Sequence, residues 1–161
     1  MTDRPRRGIA ERILRTRWLM RLPVGLYRAG WGWLLGDRFV MIEHLGRKSH
    51  EPRFVVVEVV DRGRNFVRVA SGFGERAQWY RNLDANGVAF LSTGKAVRVP
   101  AHVRVLDDAQ SGAVLDIYAS RHPRAWSVLG PAMTELSGRA VIPVVEFTPP
   151  RGDQSSTAPT S

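Results

Sequence analysis

The stretch FVMIEHL GRKSHEP RFVVVEVV, Phe39 to Val60, decides the fold of this chain. Valines at 55, 56, 57, 59 and 60 have the branched side chains that suit a buried sheet, and Gly46 to Pro52 interrupts them with turn-forming residues. The pattern predicts two strands, Phe39 to Leu45 and Arg53 to Val60, joined by a compact basic turn. Downstream, Asp61 to Arg64 reads as a hairpin turn and Asn65 to Ala70 as the next strand. Gly72 and Gly74 lead into a helix from about Glu75 to Ala85 that closes at Asn86-Gly87. Val88 to Thr93 and Val97 to Leu106 form a further hairpin about Gly94-Lys95, with Pro100 marking an edge or bulge.

Asp107 or Asp108 is suited to cap a helix reaching about Ser120. A second helical stretch after Pro123 places Trp126, Leu129, Met133 and Leu136 on one side, and Gly130-Pro131 is expected to break or kink it. A last strand, Arg139 to Phe147, contains Pro143. About six strands in mostly antiparallel hairpins, with flanking and inserted helices, argue for the α+β class and a small closed or half-open barrel.

The chain has 161 residues, no cysteine and a formal net charge of +9. That length buries one sizeable core, and the missing thiols exclude disulfides, cysteine nucleophiles and cysteine-based metal sites. Lysine occurs only at Lys48 and Lys95, and residues 1–30 hold eight arginines against Asp3 and Glu11. Three regions follow: a basic amphipathic helical region 1–37, a barrel 38–148 and a Pro/Ser/Thr-rich tail 149–161 expected to be disordered. Arg21, Pro23 and Arg28 interrupt the apolar run from Trp18 to Leu35, which argues against a signal peptide or a membrane span. Residues 1–35 suit peripheral contact with an anionic membrane surface, or a helix packed across the barrel mouth. The expected location is cytoplasmic, with the inner face of the cell membrane as the peripheral site.

His44, His50, His102 and His122 lack metal-ligand spacing, and no serine stands in a nucleophile-elbow context, so metal and hydrolase chemistry find no support. Two segments are informative. Gly46-Arg47-Lys48-Ser49-His50-Glu51-Pro52-Arg53 gathers three cations and a hydroxyl on one turn, a combination able to hold a phosphate or carboxylate, or simply to be a solvated basic hairpin. Val69-Ala70-Ser71-Gly72 ends a strand in small residues, which let a flat ring approach the backbone. It runs into Trp79-Tyr80-Arg81-Asn82-Leu83, where Trp79 either shapes a site or fills the core.

These segments, in this order, resemble the deazaflavin-dependent nitroreductase family. The resemblance is carried by Gly46-Arg47-Lys48-Ser49 with Pro52-Arg53, by Ala70-Ser71-Gly72, by Trp79 to Leu83 with Ala85-Asn86, and by Ile142-Pro143-Val144-Val145. It covers roughly Leu22 to Pro149 and implies a split β-barrel that binds the deazaflavin coenzyme F-420, with FMN as the alternative. By position, Lys48 and Arg53, with Arg47 and Ser49 nearby, would hold the phosphate and tail. Ala70, Ser71 and Gly72 would lie along the ring, and Trp79 and Asn82 would shape the slot. The implied reaction is hydride transfer to a small hydrophobic acceptor such as a quinone or nitro compound. The coenzyme carries that chemistry, so no acid–base dyad is required of the protein. Members that reduce nitroimidazoles present several tyrosines near the C-terminal helix, where this chain has Tyr118, then His122 and Trp126. His50 and Glu51 replace the Gly and neutral residue often found in the basic turn.

Two other classes compete. One is a non-catalytic split-barrel module holding a lipid, a hydrophobic ligand or another flavin. The other is nucleic-acid binding, ranked last because no groove-reading motif or stacking ladder accompanies the charge.

Overall fold

The structure, a computed structural model, describes Gly25 and residues 36–150. The amphipathic helices expected before Gly36, with their membrane-surface reading, and the tail from Arg151 lie outside the described residues. In chain order the elements are β1 (Phe39–Leu45), β2 (Pro52–Gly63), β3 (Phe66–Ala70), a 3-10 turn (Gly74–Arg76), α1 (Gln78–Asn86), β4 (Val88–Thr93), β5 (Ala96–Val105), α2 (Asp108–Arg121), α3 (Pro123–Ser137) and β6 (Val144–Thr148). The strands close into a barrel in the order β1-β2-β3-β6-β5-β4, antiparallel at every seam. The expected α+β barrel is therefore present and closed. Among the described residues no helix is long and apolar enough to cross a membrane.

Strand alternation fills the barrel. Val40, Ile42, Val57, Val69, Val145 and Phe147 point inward, and α1 contributes Tyr80 and Leu83 to the same core. Fully burying a side chain such as Phe147, Ile42 or Leu83 is worth about 1.5–3 kcal/mol each, so the α1 plug is part of the barrel's stability. A second core lies outside the barrel wall, where Val114 and Leu115 of α2 meet Leu106, Ile142 and Val144, with Val60, Ala70, Trp126 and Met133 packed against them. Helix α2 begins as the sequence predicts: Asp107 and Gln110 form a reciprocal capping box that satisfies two orphan backbone donors.

Three expectations are corrected and a fourth is met in one of its two forms. Strand β2 runs through Asp61, Arg62 and Gly63 before turning at Arg64-Asn65, because these polar residues find partners in the ladder. Asp61 pairs with Arg68 on β3 in register and by a 2.8 Å ion pair, and a bulge between Val59 and Asp61 absorbs the change in twist. Helix α3 is not broken at Gly130-Pro131 but continues to Ser137. The hydroxyl of Thr134 donates to the Gly130 carbonyl at 3.0 Å, and the missing Cβ of Gly130 leaves room for the Trp126 ring. The last strand starts at Val144, since the left-handed Gly138 and the ion pairs of Arg139 with Glu75 and Asp108 take residues before it out of the ladder. Finally, the irregularity in the β4–β5 hairpin lies at Arg98, with φ +52°, whose N–H donates to Ser92 Oγ at 2.9 Å. Pro100 pairs with Phe90 on one side only, on the part of β5 that precedes its pairing with β6, and so occupies the expected edge position.

Candidate functional site

The basic turn is built on Gly46. Its N–H donates to the Glu51 carbonyl at 2.9 Å, and its own carbonyl accepts from His50 N–H at 2.8 Å. A Cβ on Gly46 would lie 2.5 Å from Ser49 Oγ and 3.0 Å from Arg53 Nε, so a hydroxyl and a guanidinium converge on the space that glycine leaves. His50 sits at φ +55°, the left-handed region in which a glycine would be free of strain. Lys48, Ser49 and Arg53 are all exposed, and the Glu51 carboxylate lies 3.9 Å from the Arg53 guanidinium.

Arg47 differs from its neighbours. Its backbone N–H and Nη1 both donate to Asn82 Oδ1 at 3.1 Å, and Nη1 also donates to Gln78 Oε1 at 2.9 Å. It ties the turn to α1 instead of projecting toward a ligand. Asn86 repeats the tie one turn further along α1, donating to the Leu45 carbonyl at 2.9 Å.

At the other end, β3 runs out through Ala70 into Ser71. The buried Ser71 hydroxyl donates to the Gly74 carbonyl at 2.7 Å, and Ser71 N–H donates to the Pro143 carbonyl at 2.8 Å. Gly74 requires glycine, with φ +62° and Ser137 of α3 packed where a side chain would go. This locked turn leaves Gly72 facing Met133, and the space beyond is a cavity of about 730 Å³ between the barrel wall and the two C-terminal helices. Ala70, Gly72 and Trp79 line it, joined by Val57 and Val60 of β2. Its far wall is Leu115, Trp126 and Met133.

One wall is polar. Tyr118 OH donates to Glu58 Oε1 at 3.0 Å, and Arg38 Nε donates to the same oxygen at 3.2 Å. Burial, followed by the hydrogen bond to Glu58, pushes the Tyr118 phenol up to about 12.

Of the nine residues the sequence points to, Ala70, Gly72 and Trp79 meet at the cavity, and Lys48, Ser49 and Arg53 meet on the turn. Arg47, Ser71 and Asn82 spend their polar groups on the scaffold. Arg53 and Val57 are four residues apart on β2, hence on one face of it, and strand rise separates them by about 13 Å. Sequence reasoning did not assign Glu58, Leu115, Tyr118, Trp126 and Met133 to the site. The apolar stripe Trp126, Leu129, Met133 on α3 was the signal: it lines the cavity, while Trp126 and Met133 also pack on the second core.

Residues 19–124 match the F420H2-dependent quinone reductase family. No curated protein sequence matches the chain. Among solved structures, an F420-H2 dependent reductase (FDR-A) is 19% identical with a TM-score of 0.54, covering 70% of this chain and 95% of that one. A protein described as a domain-swapped dimer is 19% identical with a TM-score of 0.55, covering 83% and 98%. A protein of unknown function from Agrobacterium tumefaciens is 12% identical with a TM-score of 0.52, covering 74% and 52%.

The chain is a closed six-stranded split barrel with an apolar cavity against one wall and a cationic turn between its first two strands. The chain belongs to the F420H2-dependent quinone reductase family, so it is a coenzyme F-420-dependent oxidoreductase. The residues present fit that group: the Gly46 cradle brings a hydroxyl and a guanidinium together on a turn that also carries the exposed Lys48, donors suited to an anionic tail, and the slot by Gly72 is mainly apolar. The expected deazaflavin dependence is borne out. The family matched is named for quinone reduction, not nitro reduction.

Proposed function

We propose that the protein reduces a small hydrophobic acceptor, best represented by a quinone, within the cavity between the barrel and α2–α3. The observation that carries this reading is the cavity itself, about 730 Å³, with Val57, Val60, Leu115, Trp126 and Met133 among the apolar residues of its wall. Pockets of that size and character hold a flat ring and a second small molecule.

When bound, coenzyme F-420 supplies the hydride. The chain's own residues supply position and surroundings. Lys48 and Arg53, with Ser49, hold the phosphate and acidic tail by charge-assisted hydrogen bonds. Ala70 and Gly72 present a flat surface without side-chain bulk, and Trp79 closes the slot beside them. Arg47 and Asn82 act behind this surface by keeping the turn against α1. Leu115, Trp126 and Met133 exclude water and favour an apolar acceptor over a charged one.

The test is oxidation of reduced coenzyme F-420 by the full-length protein with a soluble short-chain quinone, followed by the coenzyme's absorbance, beside a nitroaromatic of similar size. Turnover with the quinone, at the higher kcat/KM of the two, is expected. Faster turnover with the nitroaromatic would replace the acceptor, and turnover with neither would remove the reading.

A further inference from the structure

Behind the cationic turn two buried polar side chains, His44 and Asn82, continue to the half-buried Arg47, and their hydrogen-bonding directions admit one arrangement. Arg47 approaches Asn82 with two donors, its backbone N–H and its Nη1, each 3.1 Å from the amide oxygen. Neither donor can become an acceptor, because a guanidinium keeps its protons at any ordinary pH. Asn82 must therefore turn its oxygen to the turn and its NH2 to the other side. There Nδ2 stands 3.3 Å from His44 Nδ1. A donor faces that ring nitrogen, so Nδ1 carries the lone pair and the imidazole is neutral, protonated on Nε2.

We propose that His44 is a positioning residue for coenzyme binding: its unprotonated Nδ1 fixes the Asn82 amide, which in turn holds Arg47 and the anion-binding turn against α1. The proposal rests on the reading that Lys48 and Arg53 of this turn hold the coenzyme's anionic portion.

Burial makes the arrangement sensitive. His44 and Asn82 are 4% and 3% exposed, so neither can exchange a lost partner for bulk water. A proton on Nδ1 would set N–H against NH2. If Asn82 flipped to accept that proton, its NH2 would face the two Arg47 donors instead. Either way one contact in the chain is lost, and the turn loosens at Arg47, the residue before Lys48. The charged groups around His44 are Arg53, its cross-strand partner on β2, and Arg47 on the turn; α1 presents the neutral Asn82, and β4 carries no charged residue. Burial, and behind it the positive field of Arg53, keeps His44 below the ordinary histidine value against a backbone hydrogen bond at Leu45 that acts the other way. At neutral pH the chain is therefore in its holding state.

The test compares binding of oxidised coenzyme F-420 by the full-length protein and by His44→Asn, over a range from about pH 8 to about pH 5. Asn carries an amide oxygen on Cγ, where Nδ1 stands in histidine, and does not titrate. The wild type is expected to lose affinity about tenfold per pH unit below the His44 pKa. His44→Asn is expected to retain the Asn82 contact and near wild-type affinity at neutral pH, and to lack that limb. Titration of the coenzyme itself is common to both proteins and cancels in the comparison. Parallel profiles would overturn the proposal. A second measurement needs neither coenzyme nor variant: 15N NMR of the imidazole at neutral pH is expected to show a proton-free Nδ1 and a protonated Nε2, and a proton on Nδ1 would overturn the relay. Unchanged affinity in Lys48→Ala/Arg53→Ala beside the expected tautomer would instead remove the reading of the turn and leave the relay standing as a structural device only.

Discussion

Tyr118 and Glu58 are joined by a 3.0 Å hydrogen bond on the wall of a mainly apolar cavity. The two lie sixty residues apart in sequence, on α2 and β2, so the bond also clamps the helix to the barrel. Tyr118 is buried and packs edge-on to Trp126 and beside His122, which holds its ring in place. Tyr118→Phe keeps this packing but removes one donor to Glu58, which retains Arg38. A loss of about 1–2 kcal/mol in urea unfolding is expected.

The same pair sets an alkaline limb of stability. The folded phenol titrates at about 12, above the ordinary value of 10.0, so the unfolded chain loses this proton first as pH rises. Its contribution is complete below the unfolded value and is lost as pH rises through the folded one. Ultraviolet titration should show a late tyrosine step near the value of this phenol, and that step should be missing in Tyr118→Phe.

The seam between β3 and β5 depends on one carboxylate. Glu146 on the intervening β6 accepts from Arg68 Nε at 2.7 Å and from Arg104 Nη2 at 2.8 Å, and its side chain is 8% exposed. Burial alone would raise its pKa, but the hydrogen bonds from Arg104 and Arg68 outweigh burial and the net shift is downward. Its stabilisation is therefore present above the ordinary carboxylate value and lost as pH falls through the lowered one. Glu146→Gln should cost about 2–3 kcal/mol at neutral pH, because two guanidinium groups lose their counter-charge. Denaturant unfolding at neutral and acid pH checks it: the gap between the two proteins should close in acid.

Much of this fold is legible because its signals are local. The valine run of β2 and the Asp107-x-x-Gln110 cap of α2 are written in adjacent residues. Asp61 and Arg62 misled for the opposite reason, since their strand identity depends on Arg68 and Thr93 on other strands. The cationic turn is local and legible too. What the sequence does not display is which of its cations face inward: the partners of Arg47 lie 31 and 35 residues away on α1. The α3 stripe likewise reads as an apolar face, and only closure of the barrel shows that it lines a cavity.

Gly74 connects the ring slot to α3. With φ +62° and the Ser137 carbonyl oxygen 3.1 Å from any Cβ placed there, Gly74→Ala meets both backbone strain and a contact that cannot swing away. A cost of about 1–2 kcal/mol is expected from the backbone conformation alone. Because the Gly74 carbonyl accepts the Ser71 hydroxyl, the change should also displace Gly72 at the slot. The variant should melt earlier and bind coenzyme F-420 more weakly, whereas Gly112→Ala, inside α2 where a Cβ meets nothing within 4 Å, should melt no earlier than the wild type and bind the coenzyme equally well.

The last prediction concerns the cations left exposed. Lys48 and Arg53 are exposed, and among the described residues the acidic group in ion-pair distance is Glu51, 3.9 Å from Arg53 and itself largely exposed. Exposed pairs of that kind contribute little, so removing the two cations should leave the melting temperature nearly unchanged. An anionic tail seated between them would instead lose two charge-assisted contacts. Lys48→Ala/Arg53→Ala should therefore weaken coenzyme binding by ~2–4 kcal/mol in a fluorescence titration, with the largest difference at low salt, where screening is least. Glu51→Gln should act in the opposite direction, tightening binding at low salt by removing a negative charge beside Arg53. If the double variant binds as the wild type does at every salt concentration, the tail is held elsewhere on the barrel.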